Sequence, residues 1–198
     1  GYGYPGGGDI WLYFGTGKYT DQLDKLTTYQ QYFFGLFDED ADKNDDGTDP
    51  YTLSDLVQME TQIIEAYAVD EDGHRVDLNK DGSVTTADMY KYRTLTCDSP
   101  DAQGKCNTNK DSWAIRLAVP TSTASERIIT QPLIVAGIVF IVTFIPDGDV
   151  CEGNGDAWIL AVDWETGSFT ENQVFDINGN GQFDEGDKVV EDENGVKH

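Results

Sequence analysis

The chain has 198 residues, 37 of them acidic and 13 basic, for a net charge of −24. Such a surface repels nucleic acid and anionic membranes, which are held by Lys and Arg. The apolar fraction is a modest 38%, but Trp, Tyr and Phe make up 12% of the residues, which excludes a disordered chain and provides for one domain, or one domain with an insertion.

Residues 1–9 are Gly/Tyr-rich and read as an extended lead-in. With no initiator Met and no basic leader, they look like the start of a processed or truncated piece. Residues 10–19, IWLYFGTGKY, predict a strand with Trp11, Tyr13 and Phe14 as core candidates, and residues 29–38, YQQYFFGLFD, a second aromatic strand. An acidic loop, DEDADKNDDGTDP, follows. Over 52–69 the apolar residues Leu53, Leu56, Val57, Ile63, Ile64 and Tyr67 recur at i, i+3, i+4, which predicts an amphipathic helix capped by Thr52 or Ser54. A short helix is expected over 87–95.

Cys97 and Cys106 flank a polar loop that a disulfide would close, the alternative being two free thiols, and Cys151 is left over. No CxxC pair and no His at metal-ligand spacing argue against zinc. Residues 111–119 return to strand character. The run from Arg127 to Gly167 holds two Ile/Val-rich strands, 133–135 and 138–145, turning at Ala136-Gly137. A third strand, 157–163, and a turn at Glu165-Thr166-Gly167 follow. Pro132 and Pro146 bracket an apolar run too short to span a membrane. Short antiparallel strands closing on an aspartate and a Thr-Gly turn describe a β-propeller blade. The expected organisation is propeller strands at 1–49, a helical insertion at 50–108, and a blade with a C-terminal loop at 109–198. The fold class is mainly β: a partial propeller of about two blades with a small α-helical calcium-binding insertion.

Two loops carry the chemistry. In DLNKDGSVTTAD, Asp77, Asn79 and Asp81 fall at positions 1, 3 and 5, Gly82 at 6, Ser83 at 7, Thr85 at 9 and Asp88 at 12. This is the ligand spacing of an EF-hand calcium loop, with Asp in place of the bidentate Glu. Val84, at position 8, is expected to pack the loop on its neighbour. In DINGNGQFDEGD, Asp176, Asn178, Asn180, Gln182, Asp184 and Asp187 repeat positions 1, 3, 5, 7, 9 and 12, with Gly181 at 6. Oxygen-only donors select Ca²⁺ or Mg²⁺. Asp42, Asn44, Asp46 and Gly47 give only the first half of the pattern, open to a third site, with help from Asp38 and Asp40, or to a solvated loop. Asp70 and Asp72 with Gly73 read as the approach to the Asp77 loop. Carboxylates gathered within about 4 Å repel by about 4 kcal/mol per pair at an effective dielectric near 20, so a cation is expected to hold each loop closed. Extracellular loops of this kind bind calcium with Kd of about 10⁻⁴–10⁻³ M.

The ordered set GTGKY, YQQYFFGLFD, ERIITQPLIVAGIVFIVTFIPDGDVCEGNGDAWILAVDWETG and FDINGNGQFD resembles the C-terminal β-propeller of PilY-type proteins, adhesins associated with type IV pili. The carrying features are a Glu-Arg before the Pro-led strand pair, the Thr-Phe-Ile-Pro exit, a lone Cys before a Gly-containing loop and an aspartate-led turn ending in Gly. The blade is also similar to the more widespread quinoprotein repeat. The 50–108 segment, with a loop resembling half a dockerin, has no counterpart in that pattern. The resemblance implies calcium-dependent control of pilus extension and retraction, surface adhesion, and pilus subunits or minor pilins as partners at the extracellular cell surface. The host or surface ligand is not indicated.

The leading expectation is a non-enzymatic, calcium-binding adhesion or assembly module. The alternative is a structural subunit of a calcium-stabilised filament or tip complex, self-associating through open strand edges. A quinone-dependent dehydrogenase fragment ranks below both. The chain shows no Ser/His/Asp arrangement, and His74 and His198 are isolated from any base-and-partner pair.

Overall fold

The computed structural model describes residues 2–3, 10–38, 52–97, 106, 111–118, 124–147, 154–170 and 172–198. Asp40, Asp42, Asn44, Asp46, Gly47 and Cys151 lie outside them, so the half-pattern acidic loop and the leftover cysteine have no structural account. The fold is mainly β, as expected. The strands are β1 (Tyr2–Gly3), β2 (Ile10–Gly15), β3 (Tyr32–Asp38), β4 (Val57–Ala68), β5 (Tyr90–Cys97), β6 (Trp113–Arg116), β7 (Leu133–Val135), β8 (Ile138–Pro146), β9 (Gly155–Asp163) and β10 (Val190–Glu191). The helical content among the described residues is four short 3-10 turns.

The chain divides into two compact units. The first comprises Gly1–Thr61 and Leu95–Phe169, the second Gln62–Thr94 and Thr170–His198. The segment expected as one insertion, 50–108, is therefore shared between the two.

In the first unit, β2 lies between β1 and β3, and β6 pairs antiparallel with β3 and parallel with the start of β4. Strands β7, β8 and β9 form a separate antiparallel sheet. Its β7–β8 turn is made by Ala136 and Gly137, with φ of 50° and 81°. Two consecutive left-handed residues give the turn sense that matches the twist of a hairpin. Trp11, Tyr13, Phe33, Met59, Trp113 and Ile115 from the first sheet join Val139, Ile141, Leu160 and Val162 from the second in one apolar cluster. Gly35 stands directly opposite Trp113, where any side chain would overlap the indole.

Glu126 and Arg127 are both buried. Arg127 donates to the carbonyls of Lys18 (2.8 Å), Asp24 (2.6 Å), Thr27 (3.3 Å) and Ser125 (3.1 Å), tying the 18–27 segment to the strand pair that follows. Glu126 accepts the Ala118 amide at 2.8 Å and the Thr143 hydroxyl. The Glu-Arg pair that marks the sequence is thus a buried brace. Cys97 and Cys106 form a disulfide, with Cα atoms 5.4 Å apart.

The expected helix over 52–69 is absent. Thr52 does act as a cap, its amide and hydroxyl donating to Asp55 at 2.8 and 2.7 Å, but the turn it opens spans only Leu53–Asp55 before β4 begins. Val57, Thr61, Ile63 and Ile64 are β-branched and favour a strand. Met59 and Thr61 alternate into the interior, and pairing with β6 settles the choice. The helix expected over 87–95 is likewise a turn, Thr86–Asp88, followed by β5. Among the described residues of that segment there is no α-helix.

Candidate cation-loop site

Both predicted loops lie in the second unit. There the end of β4 pairs with β10, Ala68 opposite Val190 and Tyr67 opposite Glu191. Residues 70–74 and 192–196 form matching turns beyond these strands. Asp70 and Asp192 donate their amides to the carbonyls of His74 and Val196, each at 2.9 Å. Their carboxylates accept the amides of His74 and Val196 at 2.8 and 2.9 Å, and the bridges Val69–Arg75 and Glu191–Lys197 close each hairpin. The same amide bonds hold the Asp70 and Asp192 carboxyls below the usual carboxylate range.

Loop 77–88 is built from its own side chains. Asp77 accepts the amides of Asp81 (3.3 Å) and Gly82 (2.7 Å), Asn79 that of Asp81 (2.9 Å), and Asp81 that of Ser83 (3.0 Å). Asp88 accepts Asn79 (3.0 Å) and Thr85 (2.9 Å), and the Thr85 hydroxyl accepts Ala87 (3.2 Å). The chain reverses through Lys80 and Gly82, with φ of 61° and 95°.

Loop 176–187 repeats this pattern bond for bond. Asp176 accepts Asn180 (3.1 Å) and Gly181 (2.9 Å), Asn178 accepts Asn180 (3.0 Å), and Asn180 accepts Gln182 (2.7 Å). Asp187 accepts Asn178 (3.3 Å) and Asp184 (3.1 Å), and Asp184 accepts Gly186 (2.9 Å). Gly179 and Gly181, with φ of 71° and 84°, stand where Lys80 and Gly82 stand in the first loop. Each loop ends in a 3-10 turn, Thr86–Asp88 or Glu185–Asp187, that leads into a strand.

The closing residues Asp88 and Asp187 are both buried. Amide bonds from Thr85 and Asn79 hold the Asp88 carboxyl below the usual carboxylate range. Asn178 is also buried and reaches out of its loop, its Nδ2 donating to the Val69 carbonyl at 3.4 Å. Val84 and Phe183, the position-8 residues, are 43% and 67% exposed, so Val84 does not pack as expected.

The donor set of each loop is all oxygen, the chemistry of a hard cation site. Their carboxylates are not drawn together, however. Among the described residues, the set of Asp, Glu, His or Cys ligand atoms lying within 4.8 Å of one another is Asp70, Asp72 and His74, all exposed. His74, expected from the sequence to be isolated and away from metal-ligand spacing, lies four residues after Asp70 in DEDGH; the two side chains meet at 3.5 Å.

By class, then, this is a mainly-β chain with a duplicated oxygen-donor loop. No family model matches the chain. It is 24% identical over 177 residues to the type IV pilus biogenesis factor PilY1 of Pseudomonas aeruginosa, covering 86% of this chain and 14% of that protein. A PilY1 homolog of Xylella fastidiosa is 24% identical over 176 residues, with 88% of this chain and 12% of that protein covered. The crystal structure of the Pseudomonas aeruginosa PilY1 C-terminal domain shares the fold, with a TM-score of 0.60 at 21% identity, over 91% of this chain and 33% of that one. Likeness in sequence and in fold therefore coincide on a PilY-type protein region. The chain spans 12–14% of the length of these curated relatives.

Proposed function

We propose that this chain is a calcium-stabilised, non-enzymatic module of a PilY-type protein that acts in adhesion or assembly at a type IV pilus on the cell surface. One observation carries the calcium part: two loops, far apart in sequence, adopt the same hydrogen-bond pattern around donors that are oxygen throughout. The residues that would hold the ions are Asp77, Asn79, Asp81, Ser83, Thr85 and Asp88 in one loop and Asp176, Asn178, Asn180, Gln182, Asp184 and Asp187 in the other. A bound cation supplies charge neutralisation, allowing the carboxylates of each loop to approach. The chain itself supplies the turn, because the amide bonds at positions 1, 3, 5 and 12 already bend the backbone.

The pilus part rests on the likeness to PilY1 proteins, with pilus subunits or minor pilins as partners. The Cys97–Cys106 disulfide supports an oxidising, extracytoplasmic compartment. No helix among the described residues is long and apolar enough to cross a membrane. The meander β7-β8-β9, closing on Asp163 and the Thr166-Gly167 turn, supports reading this sheet as a propeller blade. An extracellular filament or tip subunit is the second reading, favoured by the apolar residues exposed on that sheet.

The test is calorimetric titration of the chain with calcium and magnesium, with Asp77→Ala and Asp176→Ala variants. Loss of one binding event in each variant supports the reading, and no heat of binding in the parent chain refutes the calcium part.

A further inference from the structure

The two cation loops adjoin one another within the second unit. A methyl group placed on Gly179, at position 4 of loop 176–187, would meet Leu78 Cδ2, at position 2 of loop 77–88, at 3.7 Å. A methyl group on Gly186 would fall 2.6 Å from Asn178 Nδ2 and 3.2 Å from the Asp70 carbonyl carbon. Loop 176–187 therefore also lies close against the backbone that opens the 70–74 turn.

Asn178 is the polar link. It is only 5% exposed, and its planar amide serves two segments at once. Oδ1 accepts the Asn180 amide of its own loop at 3.0 Å, while Nδ2 donates to the Val69 carbonyl at 3.4 Å. A donor on one side and an acceptor on the other fix the orientation of that side chain. Val69 in turn leads into loop 77–88. It bridges Arg75, the Val76 amide donates to the Ala68 carbonyl at 3.0 Å, and the next residue is Asp77, position 1. Position 3 of one loop is thus joined to position 1 of the other through a single closed hairpin.

We propose that Asn178 is a positioning residue that couples the two loops, so that each fills with calcium more readily when the other is filled. The proposal rests on the calcium reading above. Ordering of loop 176–187 holds Asn178, Asn178 holds Val69, and the hairpin then presents Asp77 already oriented. Freedom lost when one loop orders need not be lost again by the other. The coupling is reciprocal, each loop changing the affinity of the other by the same factor. It requires asparagine at 178. Aspartate is equally acceptable at position 3 of such a loop, but it would set a carboxylate oxygen against the Val69 carbonyl.

The test follows the isotope-labelled chain by NMR as calcium is added. The Asn79 and Gly82 amides report on loop 77–88, and those of Asn180 and Gly181 on loop 176–187. In the parent chain the two sets are expected to titrate together. Asp176→Ala is expected to weaken filling of loop 77–88 by about fivefold or more, and Asp77→Ala to weaken filling of loop 176–187 by the same factor. Asn178→Asp keeps an oxygen at position 3, so both loops are expected still to fill, but independently, with Asp77→Ala no longer affecting loop 176–187 in that background. A merely structural Asn178 would lower stability without separating the two titrations. Equal filling of loop 77–88 in the parent and Asp176→Ala chains, or coupling that persists in Asn178→Asp, would overturn the proposal and leave the calcium reading standing. Amides of both loops unmoved by calcium in the parent chain would overturn both.

Discussion

Asp88 closes the first loop on Asn79: its Oδ1 accepts the Asn79 amide at 3.0 Å, while Oδ2 takes Thr85 at 2.9 Å. One carboxylate thus joins positions 3, 9 and 12. Folding favours its charged form, because those amides lower its pKa below that of the unfolded chain, about 3.9. The stabilisation is present above that value and is lost as pH falls through the folded pKa. Protection of the Asn79 amide, measured against its intrinsic exchange rate at each pH, is expected to be high at neutral pH and to fall in acid, and Asp88→Asn is expected to lower it at neutral pH. Equal protection of Asn79 at neutral and acid pH would refute this.

Calcium is expected to raise the melting temperature. At a free concentration of 100 times Kd, one site contributes about 2.7 kcal/mol. Chelation is expected to open 77–88 to protease. Thermal melts in calcium and in excess chelator check this, and the Asp77→Ala, Asp176→Ala double variant should melt alike in both.

Arg127→Leu removes the donor from four backbone carbonyls inside the first unit. Hydrogen bonds from a charged group are worth about 1.5–3 kcal/mol each, so a loss of about 3 kcal/mol or more is expected in urea denaturation. A midpoint within error of the parent chain would show that the brace carries no stability.

Gly35→Ala places a methyl group against the Trp113 indole. Overpacking a buried site costs about 1–3 kcal/mol. The substitution is expected to lower the melting temperature and to shift Trp113 fluorescence, whereas Gly82→Ala, with nothing within 4 Å, should act only through its positive φ and leave that fluorescence unchanged.

Reduction of Cys97–Cys106, which closes a short loop with a sequence separation of 9, is expected to cost about 2.5–3 kcal/mol by the chain-entropy estimate. Denaturation with and without reductant measures it, with Cys97→Ser as the control that removes the bond outright.

The strands were the most legible part of the fold. Ile/Val runs bounded by Pro132 and Pro146, and the Ala136-Gly137 turn, predicted 133–135 and 138–145 to within a residue of β7 and β8. The 52–69 segment was misread because Leu53, Leu56, Val57, Ile63, Ile64 and Tyr67 fit a helical spacing as well as a strand that pairs on both sides. Local spacing carries no information about a partner such as β6, more than fifty residues away. The disulfide had been left open between bond and thiols for a related reason: spacing permits it, but only the meeting of β5 with Cys106 decides it.

The two loops show the same division. Their Asp, Asn and Gly residues sit at positions 1, 3, 5, 6 and 12 in the sequence itself, and amide bonds within each loop, from two residues apart up to the nine spanned by the closing aspartate, reproduce that order in space. The sequence by itself thus determined where each loop turns and which oxygens it offers. Only the tertiary structure placed both loops in one unit, turned the apolar residues of β7, β8 and β9 to two opposite faces, and buried Arg127 among carbonyls from 18–27, because these depend on contacts between segments far apart along the chain.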